Sequence, residues 1–207
     1  MSKEINDIIE NKVQIIIGTQ IISKGHNFPF LKTVGILNID SILNDFDFRS
    51  SEKAFQQITQ VAGRAGRKNL DGEVFIETYQ PNHPVIKSSI SSDYEWFINY
   101  ELNERSKNFL PPFSSFISII INSANENKAK TYGLNLRNLI KENFPNIVLF
   151  GPSPSIIFKQ NKVFRFRMLI KLKKKSKSGI IFKNFLTKII PPSGIKIYID
   201  VDPINFT

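Results

Sequence analysis

Two consecutive prolines, Pro111 and Pro112, separate two halves of the chain that differ in the pattern of their hydrophobic residues. A proline lacks a backbone donor and has a fixed φ, so this pair ends the helix predicted over about 93–108. Before the pair, continuous apolar runs predict buried parallel strands around a helical segment. After it, the pattern predicts strand, helix, strand, strand, helix and strand. We therefore expect a partial α/β unit followed by a ferredoxin-like βαββαβ unit.

The first half predicts three strands with one helix between the second and the third. The predicted strands are 13–18, 34–40 and 73–79. The helix is predicted to begin at Ser50, because serine caps helix N-termini well. Its apolar stripe at helical spacing is Ala54, Ile58, Val61 and Ala65.

The second half contains a strand on which aromatic and basic residues alternate. The predicted strands are 116–122, 147–151, 163–172 and 196–201, and the predicted helices are 126–143 and 177–190. The alternation in 163–172 predicts a packed face and a basic face that could follow nucleic-acid phosphates. A solvated sheet face with a protected edge is an equally good interpretation. The basic residues, including those that continue beyond the strand, are Arg165, Arg167, Lys171, Lys173, Lys174 and Lys175.

The positive charge of the chain is concentrated in this second half. Residues 111–207 hold 16 Lys and Arg against 4 Asp and Glu, whereas residues 1–110 hold 12 against 14. Such asymmetry indicates a nucleic-acid partner. The competing interpretation is compositional, because the chain is rich in Ile, Asn, Lys and Phe, and the lysines would then only cover the surface.

Composition also excludes several classes of site and location. The chain has no cysteine, which excludes disulfides, thiolate zinc sites, iron–sulfur clusters and cysteine nucleophiles within it. The first residues are charged, and no apolar run approaches the roughly 20 residues that cross a bilayer. We expect a cytoplasmic protein without a membrane partner.

The most specific motif in the first half is Gln60-Val-Ala-Gly63-Arg64-Ala-Gly-Arg67. On a continuous helix, positions 60, 64 and 67 would project one amide and two guanidinium groups from one face. The glycines would let another surface approach, and paired arginines suit a transferring phosphoryl group. A simple helix end, with Gly66 as the cap, would explain only one glycine and one arginine.

A second polar segment, 18–29, follows the first predicted strand. Ligands of open α/β sheets bind at the carboxyl ends of strands, and this segment offers hydroxyl, amide and ammonium groups to a phosphate backbone. An ordinary polar loop is the alternative. The groups belong to Thr19, Gln20, Ser23 and Lys24.

Together, the two segments resemble motifs V and VI of superfamily 2 helicases. More narrowly, GTQIISKGHNFP, DFRSSEKAFQQITQVAGRAGR, ELNERSKNFLPPF and DVDP are similar to the primosomal protein N′, or PriA, family of bacterial replication-restart helicases. The resemblance extends from about Val13 to Pro203 and concerns the C-terminal part of that family.

The resemblance implies roles for residues of both motifs. Arg64 and Arg67 would reach the phosphates of ATP, and Gln60 would position the nucleotide or the attacking water. Gly25, Asn27 and Gly63 would couple the nucleotide to the motor. Many relatives carry an acidic residue where this chain has Asn27, so we expect weaker coupling here. The DNA backbone would be contacted by Thr19, Gln20 and Lys24.

The resemblance also implies an organisation and a whole-protein function. Residues 1–92 would form part of the second RecA-like motor lobe, 93–109 a linker helix, and 110–207 a DNA- or partner-binding domain. The function would be ATP-dependent 3′→5′ DNA unwinding for replication restart and primosome assembly. The partners would be forked or single-stranded DNA, single-stranded-DNA-binding protein and other primosome proteins.

Several parts of such a helicase are missing from these residues. The chain has no GxxxxGK[ST] phosphate loop and no DExH-like metal-binding pair, which would hold ATP and Mg²⁺ in a complete protein. The zinc-binding cysteines of the family are absent, and His26 and His83 suggest no metal site. We expect a fragment with half an ATP site. The alternatives are a non-catalytic nucleic-acid or partner-binding module and a non-functional gene fragment.

Overall fold

The chain divides into two compact units, Met1–Glu101 and Leu102–Thr207. The computed structural model describes residues 3–19, 28, 30–45, 47–65, 72–174 and 177–204. The division falls inside the helix that the sequence predicts as a linker.

The first unit contains a two-stranded parallel sheet. Its elements are α1 (Lys3–Ile9), β1 (Thr33–Ile36), α2 (Asp40–Leu43), α3 (Ser50–Ala62), β2 (Glu73–Ile76), α4 (Pro84–Ser91) and the first part of α5 (Tyr94–Lys107). β1 and β2 pair in register from Thr33 opposite Glu73 to Ile36 opposite Ile76. Parallel strands need a crossover connection, which α2 and α3 supply. The predicted α/β arrangement is confirmed for the second and third strands.

Helix α3 supplies much of the core of this unit. It buries Ala54, Phe55 and Ile58, so the predicted apolar stripe is confirmed at its centre. The Phe55 ring stacks on the Phe97 ring of α5, with 4.2 Å between centroids. Ser50 is the first helical residue rather than the cap, because Arg49 occupies the N-cap position.

The strand predicted over 13–18 does not form. Residues 13–19 have no strand structure, and Ile15 and Ile17 are 77% and 89% exposed. An apolar run becomes a strand only where a neighbour pairs its backbone and a packed face covers its side chains. In the described part of the first unit, the sheet has only the strands β1 and β2.

Helix α5 forms where the sequence predicts it, but its inner face is narrower than expected. Phe97 is buried, whereas Tyr94 is 60% exposed. Trp96 is 47% exposed and stacks on Tyr100 with 5.3 Å between ring centroids. The helix therefore packs along a stripe centred on Phe97.

The second unit has the predicted βαββαβ order. Its elements after α5 are β3 (Ser114–Ser123), α6 (Glu126–Asn143), β4 (Val148–Gln160), β5 (Val163–Lys173), α7 (Lys177–Thr187) and β6 (Lys196–Val201). The strand order is β4-β5-β3-β6, and every neighbouring pair is antiparallel. This is the ferredoxin-like arrangement. Residues of α6 and α7 pack with β3, β4 and β5 in one hydrophobic core.

Strand β4 is longer than the sequence predicts, because its pairing continues past an irregular point. The register with β5 shifts between Phe150 and Ser153. Gly151 lies there with φ of 88°, and a Cβ at this position would collide with the backbone oxygen of Arg167. Only glycine fits, and the strand resumes beyond it.

Candidate functional site

Arg64 lies on a turn directly after helix α3 rather than on the helix. The helix ends at Ala62, with Gly63 as its C-cap. The Arg64 amide donates to the Val61 carbonyl at 3.0 Å, and the Ala65 amide donates to the Ala62 carbonyl at 3.1 Å. Each of these bonds joins an amide to the carbonyl three residues earlier, as in a 3₁₀-helix, and such bonds tighten the last turn of an α-helix. The prediction of a continuous helix through this motif is therefore wrong at residues 63–65.

This turn places Arg64 at a cavity that is also lined by the start of the polar segment 18–29. The half-buried Arg64 lines a cavity of about 330 Å³ together with Gly18, Thr19, residues of β1, and Gln57 and Val61 of α3. Gly63 beside it is exposed, so its missing side chain leaves an open surface. The structure thus brings together Thr19 and Arg64, one residue from each predicted motif.

Gln60 does not join this group. It is half-buried and lines a separate open cavity of about 930 Å³ with Lys53, Gln56 and Tyr94 among others. Arg64 therefore lines one cavity from beyond the helix end, and Gln60 lines another from within the helix.

Two buried carboxylates brace the elements that carry this site. Asp40, which is 8% exposed, accepts hydrogen bonds from Thr78 Oγ1 at 2.9 Å and from the Tyr79 amide at 2.8 Å. These bonds tie the segment after β1 to the segment after β2. The partners of Asp40 are 38 and 39 residues away along the chain, so no local pattern of the sequence could reveal them.

Asp47 holds the start of α3 through a compact ion cluster. Its carboxylate accepts from Arg49 Nε at 3.0 Å and from Lys53 Nζ at 2.7 Å. Burial raises the pKa of Asp47, but the hydrogen bonds from Arg49 and Lys53 outweigh burial and lower the pKa below its ordinary value. The ionised form therefore anchors the helix that leads to Arg64.

Seven predicted site residues lie outside the described residues. They are Gln20, Ser23, Lys24, Gly25, Asn27, Arg67 and Lys175. Their roles stay predictions.

The basic strand β5 has the alternation that the sequence predicts. Its buried residues are Phe166, Met168, Ile170 and Leu172. Arg165, Arg167 and Lys171 alternate with them on the opposite face and are half-buried. Lys173 and Lys174 are exposed at the end of the strand.

Two of these basic side chains, those of Arg167 and Lys171, donate hydrogen bonds to neighbouring oxygens. Arg167 Nε donates to Ser118 Oγ at 3.3 Å, and burial together with the charge of Arg165 lowers the pKa of Arg167. Lys171 Nζ donates to the Asn108 carbonyl at 3.3 Å and lies 5.6 Å from the centre of the Phe150 ring. Arg167 and Lys171 are therefore held against the folded chain, whereas Lys173 and Lys174 are exposed.

The described residues contain neither a metal-binding cluster nor a membrane-spanning helix. No three His, Asp or Glu side chains among them are placed to hold a metal ion. Within the same part of the chain, every helix is too short or too polar to cross a membrane.

Each of the two parts of the chain matches a known domain family. The helicase conserved C-terminal domain matches residues 2–69, and the primosomal protein N C-terminal domain matches residues 107–204. Replication restart protein PriA of Bacillus subtilis is 34% identical over 198 residues, which cover 94% of this chain and 25% of that protein. This chain belongs to the PriA family.

Other PriA proteins match to the same extent. PriA of Borreliella burgdorferi is 37% identical over 202 residues, covering 97% of this chain and 31% of the relative. PriA of Rickettsia prowazekii is 36% identical over 197 residues, covering 94% and 30%. The chain spans about a quarter to a third of the length of these relatives. The match is to the C-terminal part of PriA, as the motifs predict.

Proposed function

We propose that this chain supplies the arginine-bearing part of an ATP-dependent 3′→5′ DNA helicase motor, together with a DNA-binding unit, in the cytoplasm. The motor would act in replication restart and primosome assembly. Membership of the PriA family supports this proposal. The observation that carries it is the shared cavity of Thr19 and Arg64, because coupling DNA to ATP requires the two motifs to meet.

The chemistry assigned to Arg64 is stabilisation of charge on a transferring phosphoryl group. A half-buried guanidinium at a cavity wall can follow the charge that develops on the equatorial oxygens. Arg67 would supply the second guanidinium. ATP and Mg²⁺ would be held mainly by a phosphate loop and a metal-binding pair, which these 207 residues lack. The family's zinc has no cysteine ligands here.

The second unit would bind the nucleic acid. Arg165, Arg167 and Lys171 on β5 and the exposed Lys173 and Lys174 form a basic row in a half of the chain whose net charge is +12. Forked or single-stranded DNA is the proposed ligand. Single-stranded-DNA-binding protein and other primosome proteins are the proposed protein partners.

Substitution of the arginines in a full-length helicase that carries these residues tests the motor role. Arg64→Ala and Arg67→Ala should each lower DNA-stimulated ATP hydrolysis by about 10³- to 10⁵-fold, as removal of an arginine finger does. Lys87→Ala, which removes an exposed cation from α4, is the matched control and should leave the rate unchanged. DNA binding should survive in all three variants. Loss of DNA affinity with intact hydrolysis would reverse the assignment.

A non-catalytic nucleic-acid-binding module is the second candidate function. The concentration of charge in residues 111–207, with 16 basic against 4 acidic residues, favours it. Under this alternative, both arginine variants would leave every activity of the protein unchanged.

A further inference from the structure

The sheet of the second unit packs one face on helices, and the opposite face is covered at its centre, where Phe116 and Ser118 are only 3% and 2% exposed. The packed face carries Ile117, Ile119 and Ile121 of β3, which share a core with α6 and α7. We call the opposite face the outer face. The strand register places these residues on it: Phe150 on β4, Arg165, Arg167, Leu169 and Lys171 on β5, Phe116, Ser118, Ile120 and Asn122 on β3, and Lys196, Tyr198 and Asp200 on β6.

Two large aromatic rings on the outer face are exposed to solvent. Phe150 is 50% exposed and Tyr198 is 54% exposed. The outer face of an antiparallel sheet that only meets water is usually polar, so these rings are unexpected there. They lie on the two edge strands, β4 and β6, with two strands between them. At the usual spacing of strands, they are separated by about 14 Å across the sheet.

The surface between the rings is basic. Arg167 lies in the same cross-strand row as Tyr198, with Ile120 between them. Arg165 lies one row further along, opposite Asn122. Along the paired strands, the outer face presents Arg165, Arg167, Lys171 and Lys196 against Asp200, and Asp202 just beyond β6 accepts a hydrogen bond from the Phe116 amide.

Arg165 and Asn122 also leave polar atoms without partners. Among the described residues, the buried Arg165 Nε and the buried Asn122 Oδ1 make no hydrogen bond. A buried donor or acceptor without a partner costs free energy. A phosphate on the outer face could accept from Arg165 Nε, and a base edge, which carries donors, could donate to Asn122 Oδ1.

We propose that the outer face binds single-stranded DNA, with bases stacked on Phe150 and Tyr198 and phosphates held by Arg165, Arg167 and Lys171. This rests on the proposed nucleic-acid role of the second unit and extends it to the form of the ligand and to two further residues. Exposed aromatic rings stack only on bases that are free of a duplex, whereas a duplex offers mainly its phosphates to this face. The ribose 2′-hydroxyl has no assigned contact, so RNA is not preferred.

The test is fluorescence anisotropy of the full chain with labelled oligo(dU), oligo(rU) and a duplex of the same length. Phe150→Ala and Tyr198→Ala should each weaken binding of oligo(dU) by about 5- to 150-fold, the range for loss of one stacked base. Both should leave duplex binding nearly unchanged. Tyr198→Phe keeps the ring and should retain affinity. Tyr79→Ala removes a ring that is 94% exposed in the first unit and is the matched control.

The outcomes separate this inference from the proposed function. If both ring variants bind oligo(dU) like the unmodified chain, while neutralising Arg165, Arg167 and Lys171 weakens binding, DNA binding stands and base stacking is wrong. Equal losses on single strands and duplex also contradict stacking. A clear preference for oligo(rU) overturns DNA as the occupant. Absence of any binding at low salt contradicts the proposed DNA role itself. Circular dichroism of each variant confirms that it is folded.

Discussion

At the residue scale, His83 shows how a single protonation state supports the first unit. It occupies the N-cap of α4, where its Nδ1 accepts a hydrogen bond from the Val85 amide at 3.2 Å. Only an unprotonated Nδ1 can accept. Burial lowers the pKa of His83 and outweighs the charges of Asp40 and Glu101, which raise it. The neutral form, and with it the cap, is therefore favoured at pH 7.

The pH dependence of stability follows from this cap. In the unfolded chain, His83 takes up a proton near its ordinary pKa of 6.5, whereas the folded chain takes it up only at lower pH. The stabilisation is therefore complete above pH 6.5 and is lost as the pH falls below it. His83→Asn keeps a capping acceptor that does not titrate. In the unmodified chain, the free energy of unfolding should fall below pH 6.5 by at most about 1.4 kcal/mol per pH unit because of this histidine. The variant should lack this decline, and urea unfolding at a series of pH values measures it.

The comparison with the unmodified chain at pH 7.5 is the control for this variant. There, the two free energies of unfolding should agree to within about 0.5 kcal/mol, because both caps accept a bond from the same amide. Identical slopes below pH 6.5 would show that protonation of His83 does not disturb the folded state.

At the element scale, the basic residues of strand β5 should supply the phosphate contacts of the second unit. Neutralising Arg165, Arg167 and Lys171 with glutamine should flatten the log–log dependence of DNA affinity on salt by about 2 units on single strands, at about 0.7 per phosphate contact. The measurement is anisotropy of the full chain across a salt series.

The control for this prediction uses exposed lysines on α6 and on or just after α7. Lys130, Lys183 and Lys188 are exposed and lie outside the sheet, so their replacement removes the same charge from another surface. Lys128 and Lys141 are unsuitable, because their ammonium groups donate to the Ser193 and Ile147 carbonyls. Equal flattening by both triple variants would mean that the lysines act only through net charge.

At the scale of the whole molecule, the 207 residues alone should not hydrolyse ATP. Arg64 and Arg67 can stabilise charge, but the residues that hold the β-phosphate and Mg²⁺ belong to a phosphate loop that this sequence lacks. A coupled ATPase assay with and without single-stranded DNA should give the background rate, with a full-length PriA as the positive control. DNA-stimulated hydrolysis above that background would refute the assignment of half a site.

Elements with a strong local pattern were predictable from the sequence. Helix α6 forms over Glu126–Asn143 and strand β6 over Lys196–Val201, as predicted. In both elements, the conformation that the local sequence favours is also the conformation that tertiary packing stabilises. The alternation of β5 also predicted which of its side chains are buried, because successive residues of a strand point to opposite faces.

The order and type of most elements, the concentration of charge and the resemblance to PriA were determined by the sequence alone. Only the tertiary structure decided that Arg64 lies on a turn and lines one cavity with Thr19 while Gln60 lines another, and that Phe150 and Tyr198 share the outer face. The reason is physical. Periodicity reports which side of its own element a residue occupies, whereas the end of a helix and the register between distant strands depend on contacts that no local pattern contains.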